Sequence, residues 1–225
     1  MFLNFISLFL IYFFFFIIIL SAGKIANNFI FQFKNLYIGE HGILGFFFIY
    51  SIVLIIHFFI PITNLVIFFI YSIFFIYFLY NLKKILFLSK IGNYKYFFIF
   101  LIFLILSVTN NHHDDLYIYQ LPIINYMQNY KIIFGFINLN DFIGQGHSFY
   151  EIMSFFKVPF FENRAYFLLP IIFLNFFVLF LFENLKIEKN QIVKYFIYFI
   201  ILLLIIRFNR SKEYGSDLPI LCLLF

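Results

Sequence analysis

The feature that most constrains this chain is a recurring apolar run long enough, or nearly so, to cross a lipid bilayer. Roughly 20 helical residues cover about 30 Å of hydrocarbon. Runs of this kind occupy residues 2–22, 43–60, 65–80, 96–108, 165–182 and 192–206. The first lacks a basic start and a small-residue cleavage site, so it reads as a span and not as a removed signal peptide. The expected fold is all-α: a polytopic transmembrane helical bundle, with interfacial amphipathic helices in one long external loop.

Composition agrees with this. Of the 225 residues, 65% are hydrophobic and 11% charged, where a soluble domain is about half apolar and a quarter charged. That excludes a soluble globular domain, a disordered chain and a disulfide-stapled module. Phe occurs 43 times and Trp never, a bias that AT-rich coding produces without any aromatic binding surface. The single cysteine, Cys222, leaves no intrachain disulfide and no thiol metal site. The net charge of +5 does not point to nucleic acid, because the bases flank the apolar runs, where membrane topology needs them.

Three regions follow. Residues 1–108 hold four spans, 109–164 form a polar insert, and 165–225 hold the C-terminal spans. Pro61-Ile62-Thr63-Asn64 reads as a tight hairpin between spans two and three. The chain turns apolar again at Leu218, and its last eight residues look like the start of a seventh span. A truncated fragment is the expectation.

Lys and Arg counts set orientation. Alternation places the loops 23–41, 81–95 and 183–194 on one side with nine bases, against six on the other. The base-dense side is expected to be cytoplasmic. The insert 109–164 is then expected to face outward, into a periplasm or extracellular space.

The insert opens Thr109-Asn110-Asn111-His112-His113-Asp114-Asp115 and continues Leu116-Tyr117-Ile118-Tyr119-Gln120-Leu121-Pro122. Apolar residues at 116, 119, 123, 126, 127 and 130 recur at helical spacing. Asp114 or Asp115 would cap this helix, Pro122 would kink it, and Gln120, Asn125, Gln128 and Asn129 give it a polar face. A second amphipathic segment covers about 147–156. The acidic pair has three readings: helix capping, general-base catalysis just outside the bilayer, and a divalent metal held with His112 and His113. Adjacent residues cannot all point at one ion on a regular backbone, so the cluster alone would be an incomplete metal site.

An apolar span ending in an acidic pair, with Leu116-Tyr117, Gln120-Leu121-Pro122, Lys131-Ile132-Ile133-Phe134-Gly135 and Asn138-Leu139-Asn140 after it, resembles the first external loop of the C-type polytopic glycosyltransferases. The protein mannosyltransferase and lipid A aminoarabinose transferase relatives belong to this group. The whole chain is similar to the N-terminal part of such bacterial membrane proteins. The resemblance implies that the first-loop acid is catalytic or metal-linked, and that the donor is a polyprenyl-phosphate-type lipid-linked sugar. Two departures stand out. The acidic pair here follows the fourth span, where the family usually has it after the first. The stretch ends before the family's remaining spans and C-terminal external domain, so a fragment of a longer protein is the expectation on this resemblance.

Arg207 and Arg210 follow the sixth span on the outward side, where bases are the exception. They are read as a clamp on the lipid phosphate or as snorkelling anchors. His57 lies inside the second span, four residues before Pro61, and is expected to face the interface. Glu40-His41 reads as a structural cap. His147 reads as a solvated loop residue. No Walker loop, dinucleotide glycine pattern, HExxH or GxSxG motif occurs, so no nucleotide cofactor is expected.

The expected activity is sugar transfer from the lipid donor to a cell-surface acceptor. Asp114 and Asp115 are the catalytic candidates; Arg207, Arg210, His112 and His113 are the substrate-binding ones. The alternative is another polytopic protein, such as a polysaccharide polymerase, flippase or transporter, or an inactive fragment. Uninterrupted spans disfavour a transporter, whose site usually sits on broken helices.

Overall fold

The computed structural model describes residues 2–34, 36–82, 93–108, 118, 120–132, 148–158, 168–206 and 222. Among them are eight α-helices: α1 (Phe2–Ala26), α2 (Ile38–Phe59), α3 (Asn64–Tyr80), α4 (Asn93–Val108), α5 (Leu121–Asn129), α6 (Ser148–Phe156), α7 (Leu168–Ile187) and α8 (Gln191–Ile206). No strand occurs among the described residues. Each of the six apolar runs coincides with a helix among the described residues. By length and composition α1 with its extension, α2 and α7 can cross a membrane, and α3 and α8 are shorter apolar helices.

The lipid-facing surface is written on the exposed side chains. Phe47, Ile55 and Phe59 of α2, Leu65, Phe69 and Ile76 of α3, and Ile192, Phe199 and Leu202 of α8 are all exposed. A water-soluble monomer rarely shows so large an apolar patch.

The contacts give the helix directions. Gly23 and Ile19 of α1 meet His41 and Gly45 of α2, so these helices are antiparallel. Phe14 of α1 meets Tyr71 of α3, and Asn28, just beyond the end of α1, meets Tyr77, so α1 and α3 run the same way. Tyr12 and Phe16 of α1 meet Asn175 and Phe176 of α7, and Phe173 meets Phe46 of α2. Hence α7 is parallel to α1. One end of the bundle therefore gathers the starts of α1, α3 and α7 and the end of α2.

Gly23 does not end the first helix, although the first apolar run stops at residue 22. α1 continues to Ala26 and then as a π-helix, Asn27–Phe31, closed by Gln32 at φ 54°. A Cβ on Gly23 would lie 1.8 Å from the His41 carbonyl oxygen, so this glycine serves close approach of α2. Lipid tails supply little hydrophobic drive between helices, and small residues that let backbones meet are what such packing uses. α2 uses three of them: Gly45 against α1, and Gly39 and Gly42 against Phe180 and Phe176 of α7.

Two glutamates neutralise the start of α2. Tyr37 N–H donates to Glu40 Oε2 at 2.8 Å, and Gly39 N–H donates to Glu183 Oε2 of α7 at 3.0 Å. His41, on the same turn, is buried. Thr63 caps α3, its hydroxyl accepting from Val66 N–H at 3.5 Å. Asn190 Oδ1 accepts from Ile192 N–H at 3.0 Å at the start of α8.

A polar bond crosses the core. Asn175 Nδ2 donates to the Tyr12 hydroxyl at 2.7 Å, and both residues are fully buried. Interhelical bonds of this kind contribute about 0.6–2 kcal/mol. Tyr12→Phe is expected to lower stability by about 1 kcal/mol. The check is the thermal midpoint in detergent, which should drop by a few degrees.

Candidate functional site

The described polar site lies where α2 ends. His57 is 2% exposed, so the interface position suggested by the sequence is corrected: the ring is inside the protein. An ionisable group at that depth needs partners. It has them from two other segments. Nε2 lies 3.0 Å from the Tyr130 carbonyl oxygen, and Nδ1 lies 3.5 Å from Glu151 Oε1 on α6. The backbone takes part too, with Ile132 N–H donating to the His57 carbonyl at 3.1 Å and Ile62 N–H to Met127 O at 3.1 Å. α2, the 130–132 segment and α6 are thus tied at one residue.

α6 is the sequence-predicted second amphipathic segment. It packs into the end of the bundle. Tyr150, Glu151, Ile152, Met153, Ser154, Phe155 and Phe156 are all buried. Phe156 meets Phe15 edge-on at 4.7 Å, and Phe155 meets Tyr71, about two turns into α3, at 4.8 Å. A helix that ends among apolar neighbours must have its last carbonyls met, since no water is there to do it. The Tyr71 hydroxyl donates to Phe155 O at 2.9 Å, and Gln128 Nε2 donates to both Ser154 O and Lys157 O at 3.0 Å.

Gln128 and Asn125 therefore turn toward α6, although the sequence assigns them to a water-facing side of α5. Lys157 Nζ donates to Asn125 Oδ1. Half-burial holds the Lys157 ammonium below its ordinary pKa range, and desolvation pushes the Tyr126 phenol up, with Tyr130 adding to the shift. Pro122 sits in the first turn of α5, and Gln120, just before the helix, is already in the right-handed helical conformation.

The catalytic candidates Asp114 and Asp115, the histidines His112 and His113, and the bases Arg207 and Arg210 lie outside the described residues, as does His147. Among the described residues no group of three or more His, Cys, Asp or Glu could hold a metal. The site that is described, His57 with Glu151, has only half its signal in the sequence. His57 stands out as an ionisable residue in an apolar run. Glu151 stands in Phe149-Tyr150-Glu151-Ile152-Met153, an acid among large apolar residues, and nothing local links the two.

Apolar helices with lipid-facing sides, small-residue contacts and polar groups gathered at bundle ends define a multi-pass integral membrane protein of the all-helical class. More narrowly, the chain belongs to the family described as domain of unknown function (DUF8201), whose model matches residues 5–225. No curated protein and no solved structure matches it.

Proposed function

We propose that this protein is a glycosyltransferase of the bacterial inner membrane, its 109–164 segment facing outward. It moves a sugar from a polyprenyl-phosphate-type lipid donor to a cell-surface acceptor. The observation that carries this reading is the acidic pair Asp114-Asp115 directly after an apolar span, followed by Gln120-Leu121-Pro122. A carboxylate just beyond the hydrocarbon can take a proton that a group in lipid could not.

In this scheme Asp114 or Asp115 removes the acceptor hydroxyl proton. The oxygen attacks the anomeric carbon, the bond from that carbon to the phosphate oxygen breaks, and polyprenyl phosphate leaves with the electron pair. Arg207 and Arg210 neutralise the phosphate, and His112 and His113 contact substrate beside the pair.

The test is genetic. A deletion of the full-length gene is complemented with wild type or with Asp114→Asn plus Asp115→Asn. The double variant is expected to leave surface glycans in the deletion state. Restoration of normal glycans by that variant, where the deletion alters them, contradicts the catalytic assignment.

A further inference from the structure

We propose that the groove between α1 and α3 binds one anionic glycerophospholipid, with an acyl chain along the groove and the phosphate at Lys157. The groove has a volume of about 540 Å³. Phe13, Phe14 and Ile17 of α1 line one side, Phe68 and Phe75 of α3 the other, and Val158 lies beyond α6. Phe13, Phe68 and Phe75 are exposed, so the groove opens sideways to the bilayer. Val158 marks the end where α1 and α3 start. Its neighbour Lys157 offers its carbonyl to Gln128, and Met127, next to Gln128, holds Ile62 just before α3.

Charge and length choose the occupant. The Cα atoms of Lys157 and Val158 are about 3.8 Å apart, so a cation stands beside the end of the groove. Lys157 is half-buried, and among the described residues its ammonium makes no ion pair. Its contact is with Asn125 Oδ1, a neutral acceptor that takes one of three N–H donors and none of the charge. A partly desolvated cation is stabilised by an anion within hydrogen-bond reach, and a phosphate is well suited to it. Lipid tails are as apolar as leucine, so the lining alone gives a chain no reason to leave the bilayer. Selection therefore falls to the headgroup. The groove runs from Leu10 to Ile17 and from Phe68 to Phe75, about 10 Å of helix on each side. One leaflet of hydrocarbon is about 15 Å deep, so a single acyl chain fills the groove. A carrier of many isoprene units would run far past it. Among phospholipids, phosphatidylglycerol brings an unshared negative charge, whereas phosphatidylethanolamine brings an ammonium that competes with Lys157.

The experiment is native mass spectrometry of the full chain, delipidated in mild detergent and titrated with phosphatidylglycerol, phosphatidylethanolamine or polyprenyl phosphate. Wild type is expected to bind one phosphatidylglycerol at least about fivefold more tightly than phosphatidylethanolamine, the scale of one lysine acting on an anionic lipid. An equal concentration of polyprenyl phosphate should leave that lipid in place. Lys157→Gln keeps a donor for Asn125 and loses the charge, so its two phospholipid affinities should become equal. Lys157→Arg should restore the preference. Ser72→Trp fills the groove from its α3 side with the charge intact, and should lose the tight lipid whatever its headgroup. Equal wild-type affinities overturn the site without any variant. A Lys157→Gln protein with the wild-type preference, or a folded Ser72→Trp protein that keeps the lipid, overturns it too. Displacement of phosphatidylglycerol by polyprenyl phosphate assigns the groove to the carrier and overturns the phospholipid.

Discussion

Gly45→Leu is expected to remove most folded protein from the membrane. A Cβ at this position would lie 2.0 Å from the Ile19 carbonyl oxygen and 2.9 Å from Gly23 N, both backbone atoms of α1. Neither can swing aside as a flexible side chain would, so α1 and α2 must part along their contact. Overpacking costs about 1–3 kcal/mol, and a clash with backbone belongs at the upper end or beyond. Helix propensity alone gives the opposite sign, because replacing a mid-helix glycine should gain up to about 1 kcal/mol. The sign of the effect thus separates close helix approach from propensity. The monodisperse fraction after size exclusion in mild detergent reads it out. Ser51→Leu, on an exposed part of the same helix, should leave that fraction unchanged.

Glu183→Ala is the second large effect. Glu183 is 2% exposed, and its carboxylate accepts from Gly39 N–H in the first turn of α2. It also places negative charge at a helix N-terminus, where the backbone dipoles favour it. Hydrogen bonds to charged groups contribute about 1.5–3 kcal/mol, and removal leaves a buried N–H without its acceptor. A loss of about 2–3 kcal/mol is expected, read as a lower thermal midpoint. Glu183→Gln keeps an acceptor oxygen and should lose clearly less. Equal losses for the two variants would mean that charge, and not the hydrogen bond, carries the effect.

These two positions also mark how far the sequence can be read. All six apolar runs coincide with helices among the described residues, because a long run of apolar residues leaves no other way to satisfy its backbone in lipid. The hairpin at Pro61-Ile62-Thr63-Asn64 was equally legible from local chemistry. Gly23 was not, since a glycine that stops a helix and one that admits a neighbour are the same letter. Only the position of α2 decides between them.

The polar contacts divide the same way. Glu40 acts on Tyr37, three residues away, and its capping role follows from that spacing. His57 and Glu151 meet only because α6 folds back into the bundle, and Gly39 and Glu183 only because α7 lies against α2. A single sequence shows that a buried histidine needs a partner; it does not show which acid supplies it. The polar face of α5 was visible as a face, but the periodicity could not say that Gln128 and Asn125 turn to α6 and not to water.

The central functional claim rests on Asp114 and Asp115, and release of the lipid carrier tests it most directly. Membranes containing the full-length gene product are incubated with the polyprenyl-phosphate-linked sugars extracted from the same cells and with acceptor glycan. Polyprenyl phosphate is then measured over time. General-base catalysis contributes about 10²–10⁴-fold, so wild type should release the carrier at least about 100-fold faster than the Asp114→Asn, Asp115→Asn double variant. Equal release by the two proteins would contradict the assignment.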